Sequence, residues 1–139
     1  MLKGFAVNTT GNICENLLTR SVVEVVIESE LKQRIQNGES LRIKMGFDPS
    51  APDIHLGHAV GLRKLREFQD LGHMVVLIVG DWTAQIGDPS GRSETRPMLT
   101  YEEVKYNAET YLKQFFKIVN KSKTEIRWQS EWYLSLIHI

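Results

Sequence analysis

Residues 41–58, LRIKMGFDPSAPDIHLGH, hold the pattern that decides the fold. Leu41–Met45 predicts a β-strand, and Gly46–Pro52 predicts a loop rich in glycine and proline. We expect a helix from about His58 to Leu71, because apolar residues recur there at helical spacing. This expected apolar stripe consists of Leu62, Leu65 and Phe68.

Further strands and helices are predicted on both sides of this stretch. Met74–Gly80 is a continuous apolar run, typical of a strand covered on both faces. Thr124–Trp128 predicts the next strand, and Thr100 with Glu103 predicts a capping box at the start of the helix between them. The apolar face expected of that helix is Val104, Ala108, Tyr111, Leu112, Phe115 and Val119. Alternating strands and helices are the signature of an α/β fold with a parallel sheet.

The residues before position 41 are less clearly patterned. We expect residues 1–14 to be an irregular lead-in, and Val22–Ile27 to be either a short strand or a buried helical turn. Glu28–Asn37 predicts a short helix that Gly38 ends. We therefore divide the chain into a lead-in and helical segment over 1–40 and an α/β domain over 41–133.

Composition sets broad limits. Hydrophobic residues make up 42% of the 139, and 17 basic residues balance 17 acidic ones, so no overall basic field indicates nucleic acid. The single cysteine, Cys14, allows no internal disulfide and suits a reducing cytosol. No apolar run is long enough to span a bilayer, and we expect no signal peptide and no membrane partner.

The loops 46–58 and 80–97 both follow predicted strands. In parallel sheets, ligands bind beyond the carboxyl ends of the strands, so a site is expected where these loops converge. His55 and His58 are three residues apart, and at a helix start they share one face where phosphate binds well. Capping histidines or half of a metal site are the alternatives. No other Cys or His stands in a suitable pattern for a metal, and we expect no metal site.

The second loop contains GDPSGRSETRP over residues 87–97. Asp88 is a carboxylate suited to an ammonium group, and Arg92 with Arg96 suits a polyphosphate that is gripped and released. The alternative is a solvated turn, because Asp-Pro-Ser-Gly is a good turn sequence in its own right.

These motifs together resemble bacterial-type tyrosyl-tRNA synthetases, which are class I aminoacyl-tRNA synthetases. The resemblance rests on KMGFDP (44–49), HLGH (55–58), GDWT (80–83) and GDPSG (87–91), and it runs from about Glu15 to Trp132. It implies that residues 41–133 are part of a Rossmann-like catalytic domain that activates tyrosine with ATP and transfers it to tRNA(Tyr). It further implies a cytoplasmic homodimer and Mg²⁺ bound with ATP.

The resemblance also implies a role for individual residues. The ATP-binding residues would be Gly46, Asp48, Gly57 and His58. The residues stabilising the phosphates in the transition state would be Ser50, His55, His58, Arg92 and Arg96. Thr83 and Asp88 would bind tyrosine. Two positions depart from relatives: Lys44 replaces a tyrosine that touches the substrate hydroxyl in one branch, and Gln129 stands where this branch often has Asn.

The resemblance covers roughly the first third of such an enzyme. The second family signature, KMSKS, does not occur in these residues, and we expect this chain to be inactive by itself. Another HxGH nucleotidyltransferase and a non-catalytic nucleotide-binding module are the alternative functions.

We predict that residues 134–139 are a non-native tail. LSLIHI can be encoded by CTG TCT CTT ATA CAC ATC, which resembles a transposon end used as a sequencing adapter. Resequencing the locus should therefore give different codons after Tyr133. A genomic sequence that continues through these six codons, as a natural C-terminal strand would, contradicts the prediction.

Overall fold

The computed structural model describes residues 15–86 and 98–136, with side chains as far as Tyr133. Two compact units divide between Leu41 and Arg42. The first contains a short helical segment, α1 (15–19), and helix α2 (Glu28–Gln36). As predicted, a short helix begins at Glu28; it ends at Gln36 with Asn37 as its C-cap, and Gly38 follows with a left-handed φ of 73°.

The prediction for Val22–Ile27 is wrong. This segment is neither a strand nor a helix, and Val23, Val26 and Ile27 are exposed. Ser21 and Ile27 at its two ends have φ values of 57° and 56°, which neither a strand nor a right-handed helix accommodates. The β-branched composition suggested burial, but the backbone turns at both ends instead.

The second unit is built on a parallel sheet of three strands in the order β1 (Arg42–Phe47), β2 (Met74–Val79) and β3 (Thr124–Trp128). The predicted parallel α/β fold is confirmed. In this register Phe47 pairs with Val79, and Val79 pairs with Trp128. The three carboxyl ends are therefore level, and the loops that follow them begin side by side.

Helices α3 (Leu56–Asp70) and α5 (Tyr101–Phe115) pack on one face of this sheet. Leu62 and Leu65 of α3 are buried as expected, and the capping box of Thr100 and Glu103 starts α5. The Phe47 ring meets the edge of Phe115 with 4.6 Å between centroids. The buried core consists of Phe47, Leu62, Leu65, Val75, Leu77, Val79, Ala108, Tyr111, Phe115 and Val119.

The opposite face of the sheet carries charge. Arg42 of β1 pairs with Glu125 of β3, which also pairs with Arg127, and Arg127 pairs with Glu131. These side chains are substantially exposed, so solvent screens the pairs and each contributes little to stability.

Several strands and helices begin or end at residues other than those predicted from the sequence. Gly46 and Phe47 continue the ladder opposite Ile78 and Val79, so β1 ends two residues later than predicted, and it begins one residue later, at Arg42. Helix α3 begins at Leu56 rather than His58. Within the aperiodic segment 81–99, Asp81–Ile86 forms a short helix, α4, which is too short to show a period. A 3₁₀ turn (Lys121–Lys123) precedes β3.

The chain ends, as far as it is described, in helix α6 (Ser130–Leu136). Residues 134–136 are therefore helical and not the natural strand considered as the alternative to a non-native tail. Among the described helices, none combines the length and apolarity needed to cross a membrane.

Gln69 is a buried polar side chain that ties α3 to the segment before β3. It is 1% exposed, and three acceptors lie within 2.9–3.1 Å of the two protons on its Nε2, namely the carbonyls of Asn120 and Lys123 and the Thr124 hydroxyl. Its Oε1 accepts from the Asn120 amide at 2.7 Å. The buried Gln69 amide therefore contacts several backbone groups of this segment at once.

We expect Gln69→Leu to lower the free energy of unfolding by about 1–2 kcal/mol, because it removes the hydrogen bonds that join α3 to these partly buried groups. Gln33→Leu on the exposed face of α2 is the matched control and should change stability by less than about 0.5 kcal/mol. Urea unfolding followed by circular dichroism measures both. Equal effects of the two substitutions would contradict this account.

Candidate functional site

A cavity of about 760 Å³ lies at the carboxyl ends of the three strands. Its volume is in the range that small-molecule sites occupy. The loop after β1, the start of α3 and the segment after β2 all contribute, as the two converging loops predicted. The lining residues are Met45, Gly46, Phe47, Asp48, Ser50, Ala51, Asp53, His55, His58, Ile78, Gly80, Thr83, Ala84, Leu99, Tyr111 and Gln129.

His55 and His58 cap the start of α3 reciprocally. Nδ1 of His55 accepts from the Gly57 amide at 3.1 Å, and Nδ1 of His58 accepts from the His55 amide at 3.3 Å. Their rings stack with centroids 4.0 Å apart. The capping interpretation and the functional one are thus compatible, because the caps use only one nitrogen of each ring.

The backbone also selects the tautomer of both rings. A nitrogen that accepts a hydrogen bond carries no proton, so each neutral imidazole has its proton on Nε2. Burial, and to a lesser extent the neighbouring His55, hold the pKa of His58 below its ordinary value. At neutral pH, His58 is therefore a neutral hydrogen-bond donor through Nε2.

The lack of a side chain at Gly57 leaves room for the His55 ring, which the sequence did not reveal. A Cβ at this position would lie 2.8 Å from Cε1 and 2.9 Å from Nδ1 of His55. The resemblance implied only that Gly57 is one of the ATP-binding residues. In the structure, the His55 ring itself fills the space beside its Cα.

The loop between β1 and α3 is held by polar side chains of α5. Nδ2 of Asn107 donates to the Pro49 carbonyl at 3.1 Å. Gln114 donates to the Pro52 carbonyl at 3.1 Å and accepts from the Ile54 amide at 3.2 Å. The sequence analysis missed both residues. They lie seven apart on the helix, so they share a face, and polar residues beside an apolar stripe were the available signal.

Asp48, Thr83 and Gln129 meet at the floor of the cavity. The Thr83 hydroxyl donates to Oδ1 of Asp48 at 2.7 Å, and the Thr83 amide donates to Oε1 of Gln129 at 3.1 Å. The sequence analysis named Asp48 and Thr83 as site residues. It noted Gln129 only as a departure from relatives.

Of the remaining predicted site residues, two line the cavity and three lie outside the described part of the chain. Gly46 and Ser50 line the cavity. A Cβ on Gly46 would meet only the Ile78 carbonyl, at 3.9 Å, so the protein itself does not require glycine there. Asp88, Arg92 and Arg96 lie outside the described residues. Within the described ranges, no cluster of three or more His, Cys, Asp or Glu side chains could hold a metal ion.

A parallel sheet with HxGH histidines at the start of α3, beside a cavity at the strand ends, is the arrangement of a class I aminoacyl-tRNA synthetase. Residues 36–138 match the family model described as tRNA synthetases class I (W and Y). The chain belongs to this family.

Individual relatives agree with this assignment and with the resemblance found in the sequence. The chain is 67% identical over 126 residues to a Tyrosine--tRNA ligase of Dehalococcoides mccartyi, covering 91% of this chain and 32% of that relative. It is 64% identical over 116 residues to a Tyrosine--tRNA ligase of Thermotoga maritima, covering 84% of this chain and 29% of that relative. The chain thus spans about a third of the length of the curated relatives it matches.

A solved structure resembles the fold. The tyrosyl-tRNA synthetase of Archaeoglobus fulgidus, in complex with L-tyrosine, matches with a TM-score of 0.73 at 28% identity. The match covers 90% of this chain and 36% of that one.

We expect Gly57→Ala to displace the His55 ring, because the new Cβ would lie 2.8 Å from it. Loss of this cap should lower the free energy of unfolding by about 1 kcal/mol. Gly61→Ala on the same helix is the matched control, since its Cβ meets only the flexible end of Met45 at 3.3 Å. Imidazole NMR signals and urea unfolding measure both effects. Unchanged His55 signals in the Gly57 variant would contradict the prediction.

We expect His58 to titrate below about 6.5, the ordinary value for histidine. His55→Asn keeps a capping acceptor and removes the neighbouring imidazole, so the pKa of His58 should rise. It should stay below the ordinary value, because burial is the larger cause of the shift. NMR titration of the His58 ring tests this, and a pKa that does not move would show that His55 exerts no electrostatic effect.

Proposed function

We propose that this chain forms the ATP-binding part of an enzyme that activates tyrosine and transfers it to tRNA(Tyr). The observation that carries the proposal is the pair of Nε2 donors of His55 and His58, which lie at a helix start beside the cavity. Relatives named Tyrosine--tRNA ligase, at up to 67% identity, support the choice of substrate.

The reaction proceeds by in-line displacement. A carboxylate oxygen of tyrosine attacks the α-phosphorus of ATP, the bond from that phosphorus to the bridging oxygen breaks, and pyrophosphate leaves. The attacking carboxylate is already ionised, so no side chain removes a proton or forms a covalent bond. In the second step a ribose hydroxyl of the tRNA attacks the tyrosyl carbonyl, and AMP leaves.

The described residues contribute by position and by hydrogen-bond donation. Nε2–H groups of His55 and His58, with the Ser50 hydroxyl, donate to phosphate oxygens as negative charge builds during the displacement. The positive end of the α3 helix dipole favours the same charge. Donors that are fixed before the substrate binds need not reorganise in the transition state, which is how such a site accelerates a reaction with little covalent chemistry.

The other residues bind and orient the two substrates. Gly46, Asp48 and Gly57 line the nucleotide side, with His58 near the ribose. Thr83 and Asp88 bind tyrosine, Asp88 through its α-amino group. Arg92 and Arg96 grip the departing pyrophosphate, since guanidinium groups bind phosphate oxygens in pairs.

Further partners belong to the complete protein. We propose that Mg²⁺ enters bound to the phosphates of ATP. We propose that the complete protein is a cytoplasmic homodimer that also binds tRNA(Tyr).

Tyrosine-dependent exchange of pyrophosphate into ATP tests the proposal. We expect exchange by the complete chain encoded at the same locus and none by these 139 residues alone, because the chain spans only about a third of its relatives. Phenylalanine and tryptophan, in place of tyrosine, serve as matched controls. Exchange with tryptophan but not tyrosine would overturn the substrate, and exchange by the 139-residue chain would overturn its expected inactivity.

A further inference from the structure

One residue follows each strand directly at the level carboxyl ends of the sheet: Asp48 after β1, Gly80 after β2 and Gln129 after β3. Two backbone hydrogen bonds continue the ladder beyond the strands. The Gly80 amide donates to the Phe47 carbonyl at 2.8 Å, and the Gln129 amide donates to the Val79 carbonyl at 2.9 Å. The starting points of all three segments are therefore fixed relative to one another.

Thr83 joins these segments through its side chain and its backbone. Its hydroxyl has three acceptors in range, namely Oδ1 of Asp48 at 2.7 Å, Oε1 of Gln129 at 3.1 Å and the Gly80 carbonyl at 3.3 Å. A hydroxyl has one proton, and the shortest contact is to the carboxylate, where a charge-assisted bond is strongest. The Gln129 oxygen is then left to accept the Thr83 amide at 3.1 Å.

Gln129, the residue directly after β3, also caps helix α4. Thr83 lies in the first turn of α4, where backbone amides have no partner within the helix. Asp81 of α4 returns the interaction, because its Oδ1 accepts from the amide of Ser130, the first residue of α6, at 3.0 Å. Asp81 is 3% exposed, so the hydrogen bond from Ser130 is made to a buried carboxylate. The two helices hold each other in place at the strand ends.

The space around this junction is closely filled. A Cβ on Gly80 would lie 2.1 Å from Oδ1 of Asp48 and 2.7 Å from the Thr83 hydroxyl. No side chain fits there, so glycine at position 80 lets the carboxylate and the hydroxyl meet directly above the backbone.

We propose that Gln129 is a positioning residue for the Asp48 carboxylate, acting through Thr83. Its amide oxygen holds the Thr83 backbone in the first turn of α4, and this placement directs the hydroxyl to Oδ1 of Asp48. Asp48 lines the cavity, so its orientation decides how a bound substrate meets a negative charge. This inference rests on the proposed function and assigns Gln129 a part in it without substrate contact.

The test uses the complete chain encoded at the same locus and measures tyrosine-dependent pyrophosphate exchange. Gln129→Leu keeps the size of the side chain and removes the acceptor. We expect kcat/KM to fall roughly tenfold, as for loss of one hydrogen bond that orders a charged group. Gln85→Leu is the matched control, because Gln85 is also half-buried, lies on α4 two residues after Thr83 and, within the described part of the chain, donates to the Asp81 carbonyl rather than to Asp48, Thr83 or Gln129. It should retain activity within about twofold.

Variants of Thr83 distinguish positioning from a general loss of structure. Thr83→Val removes the hydroxyl at constant shape and should also lower kcat/KM about tenfold, whereas Thr83→Ser keeps the hydroxyl and should retain most activity. The double variant Gln129→Leu with Thr83→Val should lose no more than Thr83→Val alone, because Gln129 acts on Asp48 only through Thr83. Additive losses, or equal losses with Ser and Val, would overturn the inference.

A second measurement separates this inference from the proposed function. Hydrogen exchange of the backbone amides over residues 81–86 should be faster in Gln129→Leu than in wild type or Gln85→Leu, because the Thr83 amide loses its acceptor. This readout needs no enzymatic activity. Unchanged exchange rates overturn the role of Gln129 even if pyrophosphate exchange occurs. Faster amide exchange without pyrophosphate exchange supports the Gln129–Thr83 connection while the proposed function fails.

Discussion

Backbone pairing of Phe47 with Val79, and of Val79 with Trp128, is the constraint on which the rest of the site depends. Parallel strands in this register end at one level, so the next residue of each enters the same cavity. Gly80 and Gln129 extend the pairing by one backbone hydrogen bond each. A shift of one residue in either pair would carry Asp48 or Gln129 away from Thr83 and turn side chains to the other face.

The site combines a local set of hydrogen bonds at the start of α3 with a long-range set that joins three strand ends. His55 and His58 are three residues apart, and the amides at the start of α3 select their tautomer without help from any other element. The connection of Asp48, Thr83 and Gln129 spans 81 positions of sequence and exists only because three strands are aligned. The two histidines place hydrogen-bond donors beside the cavity for phosphate, and the long-range set holds the Asp48 carboxylate in one orientation in the same cavity.

The sequence predictions failed where the structure depends on distant residues or on backbone conformation rather than on local periodicity. The strand predicted for Leu41–Met45 continues to Phe47, because pairing with Ile78 and Val79 outweighs the weak strand preference of glycine. The β-branched segment Val22–Ile27 lacks regular structure, because the backbone at both of its ends is left-handed. Helix α4 was missed because one turn and a half leaves no measurable period, and its caps come from distant residues.

The sequence by itself determined the parallel α/β fold, the buried stripe of α3, the capping box of α5 and the residues of the HxGH motif, because these depend on neighbours within one or two helical turns. Its motifs also identified the family. Only the tertiary structure decided that the His55 ring fills the space above Gly57, that Asn107 and Gln114 hold the loop, and that Gln129 reaches Thr83. These contacts join residues 46–62 positions apart, or depend on a ring orientation, and local periodicity carries no information about either.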